Sequence, residues 1–85
     1  MAVKSFLIAN SVIKQSKKLP RPIRDRLVTS FSAIHKDPIK GVKLHGELKN
    51  YYKYRIGDYR IVYSFDSKAS IVVVVKIEHR QGVYK

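Results

Sequence analysis

The sequence contains no cysteine and no tryptophan, and only six of its 85 residues are acidic. Without cysteine, disulfides and thiolate chemistry are excluded, which fits a reducing, cytoplasmic environment. The pattern places Asp58 and Asp66 in turns and leaves Glu47 and Glu78 isolated. Metal-dependent nucleases need clustered carboxylates, and no phosphate-binding glycine loop is present either. We therefore expect neither a metal site nor a cofactor.

Long hydrophobic runs are also missing. The longest uninterrupted aliphatic run, residues 71–75, is far too short to cross a bilayer. The opening MAVKSFLIANS has a four-residue apolar stretch, which is not typical of a signal peptide. With 85 residues and 45% hydrophobic composition, residues 1–85 are expected to form a single domain with one modest core, located in the cytoplasm and not on a membrane.

Basic residues are what the sequence has in excess. Eighteen Lys and Arg against six acids give a formal net charge of +12. So large an imbalance indicates a polyanionic partner, with nucleic acid first, acidic protein second and anionic membrane third.

The first half of the chain has the pattern of a strand followed by two helices. Residues 3–9 read as a strand, and Asn10 or Ser11 can cap a short helix. Pro20 and Pro22 interrupt that helix and begin a second one, which ends near Lys36 before Asp-Pro. Residues 40–50, KGVKLHGELKN, are expected to form an irregular basic loop.

Residues 51–63, YYKYRIGDYRIVY, predict a β-hairpin with a two-residue turn at Gly57 and Asp58. Such a turn pairs Ile56 with Tyr59, Arg55 with Arg60, Tyr54 with Ile61, Lys53 with Val62 and Tyr52 with Tyr63. Alternation then gives one apolar face and one face bearing the cations. Arg55 and Arg60 stand opposite each other, and at about 5 Å two like charges repel by about 1–3 kcal/mol.

Residues 70–77, SIVVVVKI, predict a further antiparallel strand. The expected fold is α+β, with two N-terminal helices packed on one face of a small, mostly antiparallel sheet of about four strands. The helices cover the apolar side of the hairpin, so its cations point outward. His79, Arg80 and Tyr84 follow the last strand and can curl back to those cations, and phosphate is the anion that such a cluster would bind.

Two segments carry a family resemblance. LHGELKNYYKYRIGDYRIVY, residues 44–63, and the ending IEHRQGVY, residues 77–84, resemble the RelE/ParE toxin superfamily of toxin–antitoxin systems. The similarity extends over nearly the whole chain, and the fold of the superfamily agrees with the one predicted from the pattern.

The resemblance implies a toxin of a type II system, and within the superfamily two activities compete. RelE-like members are metal-independent endoribonucleases that cut mRNA in the ribosomal A site and thereby inhibit translation. ParE-like members poison DNA gyrase and generally lack the catalytic side chains. We expect the RelE-like activity; a gyrase inhibitor and a non-catalytic RNA-binding relative are the alternatives. The implied protein partner is an acidic, RelB-like antitoxin in a hetero-oligomer.

The resemblance also implies which residues act. The catalytic set carried over to this chain is Lys53, Arg60, His79, Arg80 and Tyr84, and the expected RNA-binding residues are Lys43, Lys49 and Arg55. Arginines suit charge stabilisation because they keep their protons, whereas a phenol or an imidazole can transfer one. The glutamate base of some relatives is missing, so another residue must act as the base.

Overall fold

Two helices and five strands follow one another in the parts of the chain that the computed structural model describes, residues 3–44 and 50–79. In chain order they are β1 Ser5–Ile8, α1 Asn10–Ser16, α2 Arg21–Lys36, β2 Val42–Lys43, β3 Tyr51–Ile56, β4 Tyr59–Asp66 and β5 Ile71–His79.

The strands form one sheet in the order β1-β5-β4-β3-β2. β1 runs parallel to β5, and the other neighbouring strands are antiparallel. The predicted α+β class is confirmed. The sheet has a fifth strand because Val42 pairs with Lys53, within the segment that was predicted to be an irregular loop.

Both helices bury one side against the same face of the sheet. Val12 of α1, Leu19 of the turn that follows, and Leu27 and Ile34 of α2 belong to the core cluster. The predicted cap of α1 is wrong: Ala9 holds the extended N-cap position, and Asn10 is already helical. Neither helix has the length and apolarity needed to span a membrane, in the residues described.

The hairpin β3–β4 has the predicted register at every pair, from Ile56 opposite Tyr59 to Tyr52 opposite Tyr63. Gly57 has a φ of 61°, a conformation that glycine adopts without steric cost. Ile56, Ile61 and Tyr63 are at most 1% exposed and contribute to the core. Burying one isoleucine completely stabilises the fold by about 1.5–3 kcal/mol, so the hairpin is held by its apolar side.

An irregularity interrupts β5 at Val75. Tyr63 of β4 pairs with Val74, whereas the preceding residue Val62 pairs with Lys76, so Val75 is an extra residue that forms a β-bulge. The buried side chains of β5 are consequently Val72, Val74 and Ile77. Simple alternation would have buried Val73, Val75 and Ile77, or Val72, Val74 and Lys76; the structure has neither set.

Candidate functional site

Strand alternation divides the sheet into two faces. The helix-covered face carries Ile56, Ile61, Tyr63, Val74 and Ile77, all buried. The other face, which we call the open face, carries Lys53, Arg55, Arg60, Val62, Lys76 and Glu78, as the strand registers require. Four of these six residues are cations and one is a carboxylate.

The two opposed arginines of the hairpin are bound by different acceptors. The Nε of Arg55 donates a hydrogen bond of 3.1 Å to the carbonyl oxygen of Gly57 in the turn. The Nε of Arg60 lies 3.6 Å from the Oε1 of Glu78, on the neighbouring strand. One guanidinium is thus held toward the turn and the other toward β5, which reduces the repulsion that their pairing creates.

Glu78 is a site residue that the sequence did not reveal. It was expected to be isolated, but it pairs with Arg60 across the sheet, and its Oε2 lies 2.9 Å from the Nζ of Lys76. The side chains of Glu78 and Arg60 are 23% and 26% exposed, so both are only partly accessible to water. The register between β4 and β5 was the missing information.

A cavity of about 320 Å³ opens at the turn end of this cationic face. Its size is at the lower end of the range of ligand pockets, about 300–1,000 Å³. The lining residues are Val42, Lys53, Arg55, Gly57, Asp58, Tyr59 and Arg60. Three cations against one carboxylate make this cavity suited to an anionic group such as a phosphate.

Two residues of the predicted site lie on the opposite side of the sheet. His79 pairs with Tyr59, in the same alternation as Ile61 and Ile77, and its ring meets the Tyr59 ring edge-on with centroids 4.6 Å apart. Lys43 pairs with Tyr52 and is exposed at the edge of the helix-covered face. The structure therefore brings together Lys53, Arg55 and Arg60, but not Lys43 or His79. Lys49, Arg80 and Tyr84 lie outside the described residues.

Tyr63 connects the core to the edge of the site. Its hydroxyl donates a hydrogen bond of 2.7 Å to the carbonyl oxygen of Pro38 and accepts one of 3.1 Å from the amide of Gly41. Burial raises the pKa of Tyr63 to about 12. A Cβ on Gly41 would lie 2.7 Å from both the Tyr63 hydroxyl and the Lys53 carbonyl oxygen. This close contact fixes the segment that leads into β2, and with it Val42 at the cavity.

A second group of cations lies on the two helices and in the turn between them. Between residues 14 and 26 six basic side chains are all exposed and only one residue is acidic; the six are Lys14, Lys17, Lys18, Arg21, Arg24 and Arg26. The positive charge of the chain is therefore distributed over the helical layer as well as the open face.

Comparison with known proteins identifies the family. The model of the family described as "ParE toxin of type II toxin-antitoxin system, parDE" matches residues 6–84. Toxin RelG of Mycobacterium tuberculosis is 31% identical over 70 residues, which cover 80% of each chain.

Solved structures give the same fold. A chain of the RelBE2 toxin–antitoxin complex from Mycobacterium tuberculosis superposes with a TM-score of 0.80 and 26% identity, over 94% of this chain and 100% of that one. The isolated RelE toxin of E. coli gives a TM-score of 0.76 with 25% identity, over 93% of this chain and 88% of that one. The predicted resemblance is confirmed: this chain is a type II toxin and belongs to the RelE/ParE toxin superfamily.

Proposed function

We propose that this chain is a ribosome-dependent mRNA endonuclease that inhibits translation. The observation that carries the proposal is the cavity on the open face, where Lys53, Arg55 and Arg60 surround a space of about 320 Å³. A phosphodiester is an anion of the right kind for this space, since guanidinium groups bind two phosphate oxygens at once. The six exposed cations of the helical layer offer a further surface for ribosomal RNA.

RNA supplies its own nucleophile in this reaction. The 2′-hydroxyl attacks the adjacent phosphorus and loses its proton to a base; the bond from phosphorus to the 5′-oxygen breaks, and that oxygen takes up a proton. The products are a 2′,3′-cyclic phosphate and a 5′-hydroxyl. The protein must hold the backbone in line, stabilise the extra negative charge at phosphorus and move two protons.

Each task has a candidate residue. Arg60, with Arg80 from the sequence pattern, stabilises the charge at phosphorus, because guanidinium donors stay protonated. Lys53 is an ammonium group at the cavity and can donate a proton to the leaving oxygen. We assign the base to Tyr84, because His79 lies on the helix-covered face against Tyr59.

The proposed protein partner is an acidic antitoxin. Relatives of this chain are known in complexes with antitoxins, such as RelBE2 from Mycobacterium tuberculosis. A chain of net charge +12 is complementary to an acidic segment wrapped around it. We expect a small acidic reading frame beside the gene, and co-purification of its product with this chain.

The deciding experiment is controlled expression followed by mapping of RNA 5′ ends. If the chain is an mRNA endonuclease, translation stops within minutes of induction, new 5′ ends accumulate inside translated messages, and DNA supercoiling is unchanged. The family model is that of ParE toxins, which favours gyrase inhibition as the second candidate. Gyrase-linked DNA breaks with intact messages would establish that candidate and exclude ours.

Tyr84→Phe tests the assignment of the base. The variant keeps the ring and removes the proton-transferring hydroxyl, and general acid–base groups typically contribute about 10²–10⁴-fold to a rate. We expect a loss of this size in cleavage of ribosome-bound mRNA, with ribosome binding much less affected. Cleavage at the unaltered rate would remove Tyr84 from the mechanism.

A further inference from the structure

Glu78 lies beside the proposed site but has no task in the proposed reaction. Glu78 of β5 pairs with Arg60 of the neighbouring strand β4. Its two carboxylate oxygens contact two different cations: Oε1 is 3.6 Å from the Nε of Arg60, and Oε2 is 2.9 Å from the Nζ of Lys76. It is the one acid among the open-face residues named above. Its charge has the sign of the phosphate that Arg60 would bind.

We propose that Glu78 occupies the anion-binding position of Arg60 in the free chain and is displaced by an RNA phosphate. Glu78 is then a positioning residue that acts through Arg60 and sets the affinity of the site. The proposal rests on the proposed function, because it takes Arg60 to be a phosphate ligand.

The two contacts of Glu78 differ in a way that favours this exchange. A charge-assisted hydrogen bond measures about 2.7–2.9 Å, and only the contact with Lys76 has that length. The contact with Arg60 is longer, at 3.6 Å. A phosphate can therefore take Arg60 while the carboxylate keeps its bond to Lys76. No buried charge loses all of its partners in the exchange, so the cost of displacement is small.

The geometry also separates this role from general charge repulsion. Glu78 lies on the open face beside Arg60, whereas Asp25 is exposed on α2. Neutralising either residue raises the net charge by one, but only Glu78 competes for the guanidinium. Asp25→Asn is consequently a matched control for Glu78→Gln.

The test is equilibrium binding of a short fluorescent, single-stranded 2′-O-methyl RNA to the purified full chain at about 0.1 M salt, where long-range repulsion is screened beyond about 10 Å. This probe cannot be cleaved, so binding is measured apart from catalysis. We expect Glu78→Gln to tighten binding by about two- to fivefold, the range of a partly exposed ion pair. Asp25→Asn should change the affinity by a smaller factor. In an Arg60→Ala background, Glu78→Gln should no longer tighten binding beyond the Asp25→Asn control.

Three results would overturn the proposal. Weaker binding by Glu78→Gln would mean that the carboxylate supports Arg60 for binding. Equal effects of Glu78→Gln and Asp25→Asn would mean that only net charge matters. If Glu78→Gln tightened binding just as much in the Arg60→Ala background, Glu78 would not act through Arg60. A separate result would show that the proposed site itself is wrong. In that case the single variant Arg60→Ala would bind the RNA probe as tightly as the parent chain does.

Discussion

Ile61 and Arg60 are neighbours in β4, yet their surroundings are opposite. Ile61 is 0% exposed and packs in the core with residues from both helices. Arg60 lines the cavity on the open face and has a carboxylate beside it. The difference arises from strand alternation alone, which sends successive side chains to opposite faces.

The comparison shows how an 85-residue chain carries both a core and a cationic site. One face of the hairpin supplies apolar surface for the helices, and the other is left free for a ligand. Substitutions on the helix-covered face should therefore change stability, and substitutions on the open face should change binding or catalysis. Exceptions to this division would identify residues that couple the two faces.

The largest effect on stability is expected at Ile61. Ile61→Ala removes three buried carbons and leaves a cavity, which typically costs about 2–5 kcal/mol in free energy of unfolding. Urea denaturation followed by circular dichroism would measure it. Under conditions in which Ile61→Ala remains folded, the variant should cleave mRNA at the rate of the parent chain. If Ile61→Ala lowered the free energy of unfolding by less than Arg60→Ala does, the division between the two faces would be contradicted.

The largest effect on activity is expected at the adjacent residue. Under the proposed function, Arg60→Ala removes the charged donor that stabilises the reacting phosphate, so it should reduce cleavage of ribosome-bound mRNA by about 10²-fold or more. Its stability should change by no more than about 1 kcal/mol, the usual limit for a partly exposed ion pair. Single-turnover cleavage and urea denaturation measure the two quantities. If the variant is as active as the parent, Arg60 has no place in the site.

Tyr63→Phe should give an intermediate effect that depends on pH. The variant leaves the Pro38 carbonyl without its donor, which costs about 1–3 kcal/mol at neutral pH. In the parent chain the pKa of Tyr63 is raised to about 12, whereas an unfolded tyrosine has a pKa near 10. The contribution of the neutral hydroxyl is therefore complete below pH of about 10 and is lost as the pH rises toward about 12.

The stability difference between the parent and Tyr63→Phe should accordingly shrink over that alkaline range. Denaturation at a series of pH values measures it. Tyr51→Phe is the control, because Tyr51 also lies in the hairpin but is only half-buried. A difference that stays constant to pH of about 12 would mean that Tyr63 is not the group responsible.

The smallest expected effect is a difference in the salt dependence of RNA binding between variants of two lysines, Lys53 and Lys43, which lie on opposite faces of the sheet. Each phosphate contact with single-stranded RNA contributes about 0.7 to the slope of log affinity against log salt concentration. Lys53→Gln should reduce the slope by about this amount, because Lys53 lines the cavity. Lys43→Gln should reduce it less, because Lys43 pairs with Tyr52 on the helix-covered side. Equal changes would show that RNA passes around the sheet edge.

Local patterns predicted much of this fold. The Gly57-Asp58 turn fixed the register of β3 and β4, since a two-residue loop leaves one pairing that keeps the apolar residues on one face. Leu27 and Ile34 are seven residues apart, a spacing that puts them on one side of a helix, and both are buried. Both the turn and the helical spacing are local patterns, which involve only residues close to one another in the sequence.

The rest depends on contacts between distant residues. The strand β2, the parallel pairing of β1 with β5 and the bulge at Val75 each require a partner strand that no local spacing specifies. The position of Glu78 beside Arg60 depends on the register that this bulge sets. For the same reason His79 was expected near the cations, whereas the register directs it to Tyr59.

The extra residue in β5 makes the chain unequally tolerant of changes in its length. Deleting Val75 would leave Val74 and Lys76 adjacent, opposite the adjacent residues Tyr63 and Val62, so both would keep their faces and their partners. Inserting one residue between Ile77 and Glu78 would instead turn Glu78 toward the helices and separate it from Arg60. Relatives of different length can therefore share this sheet if the length changes at the bulge, whereas a change two residues later would alter which charged side chains lie on the open face.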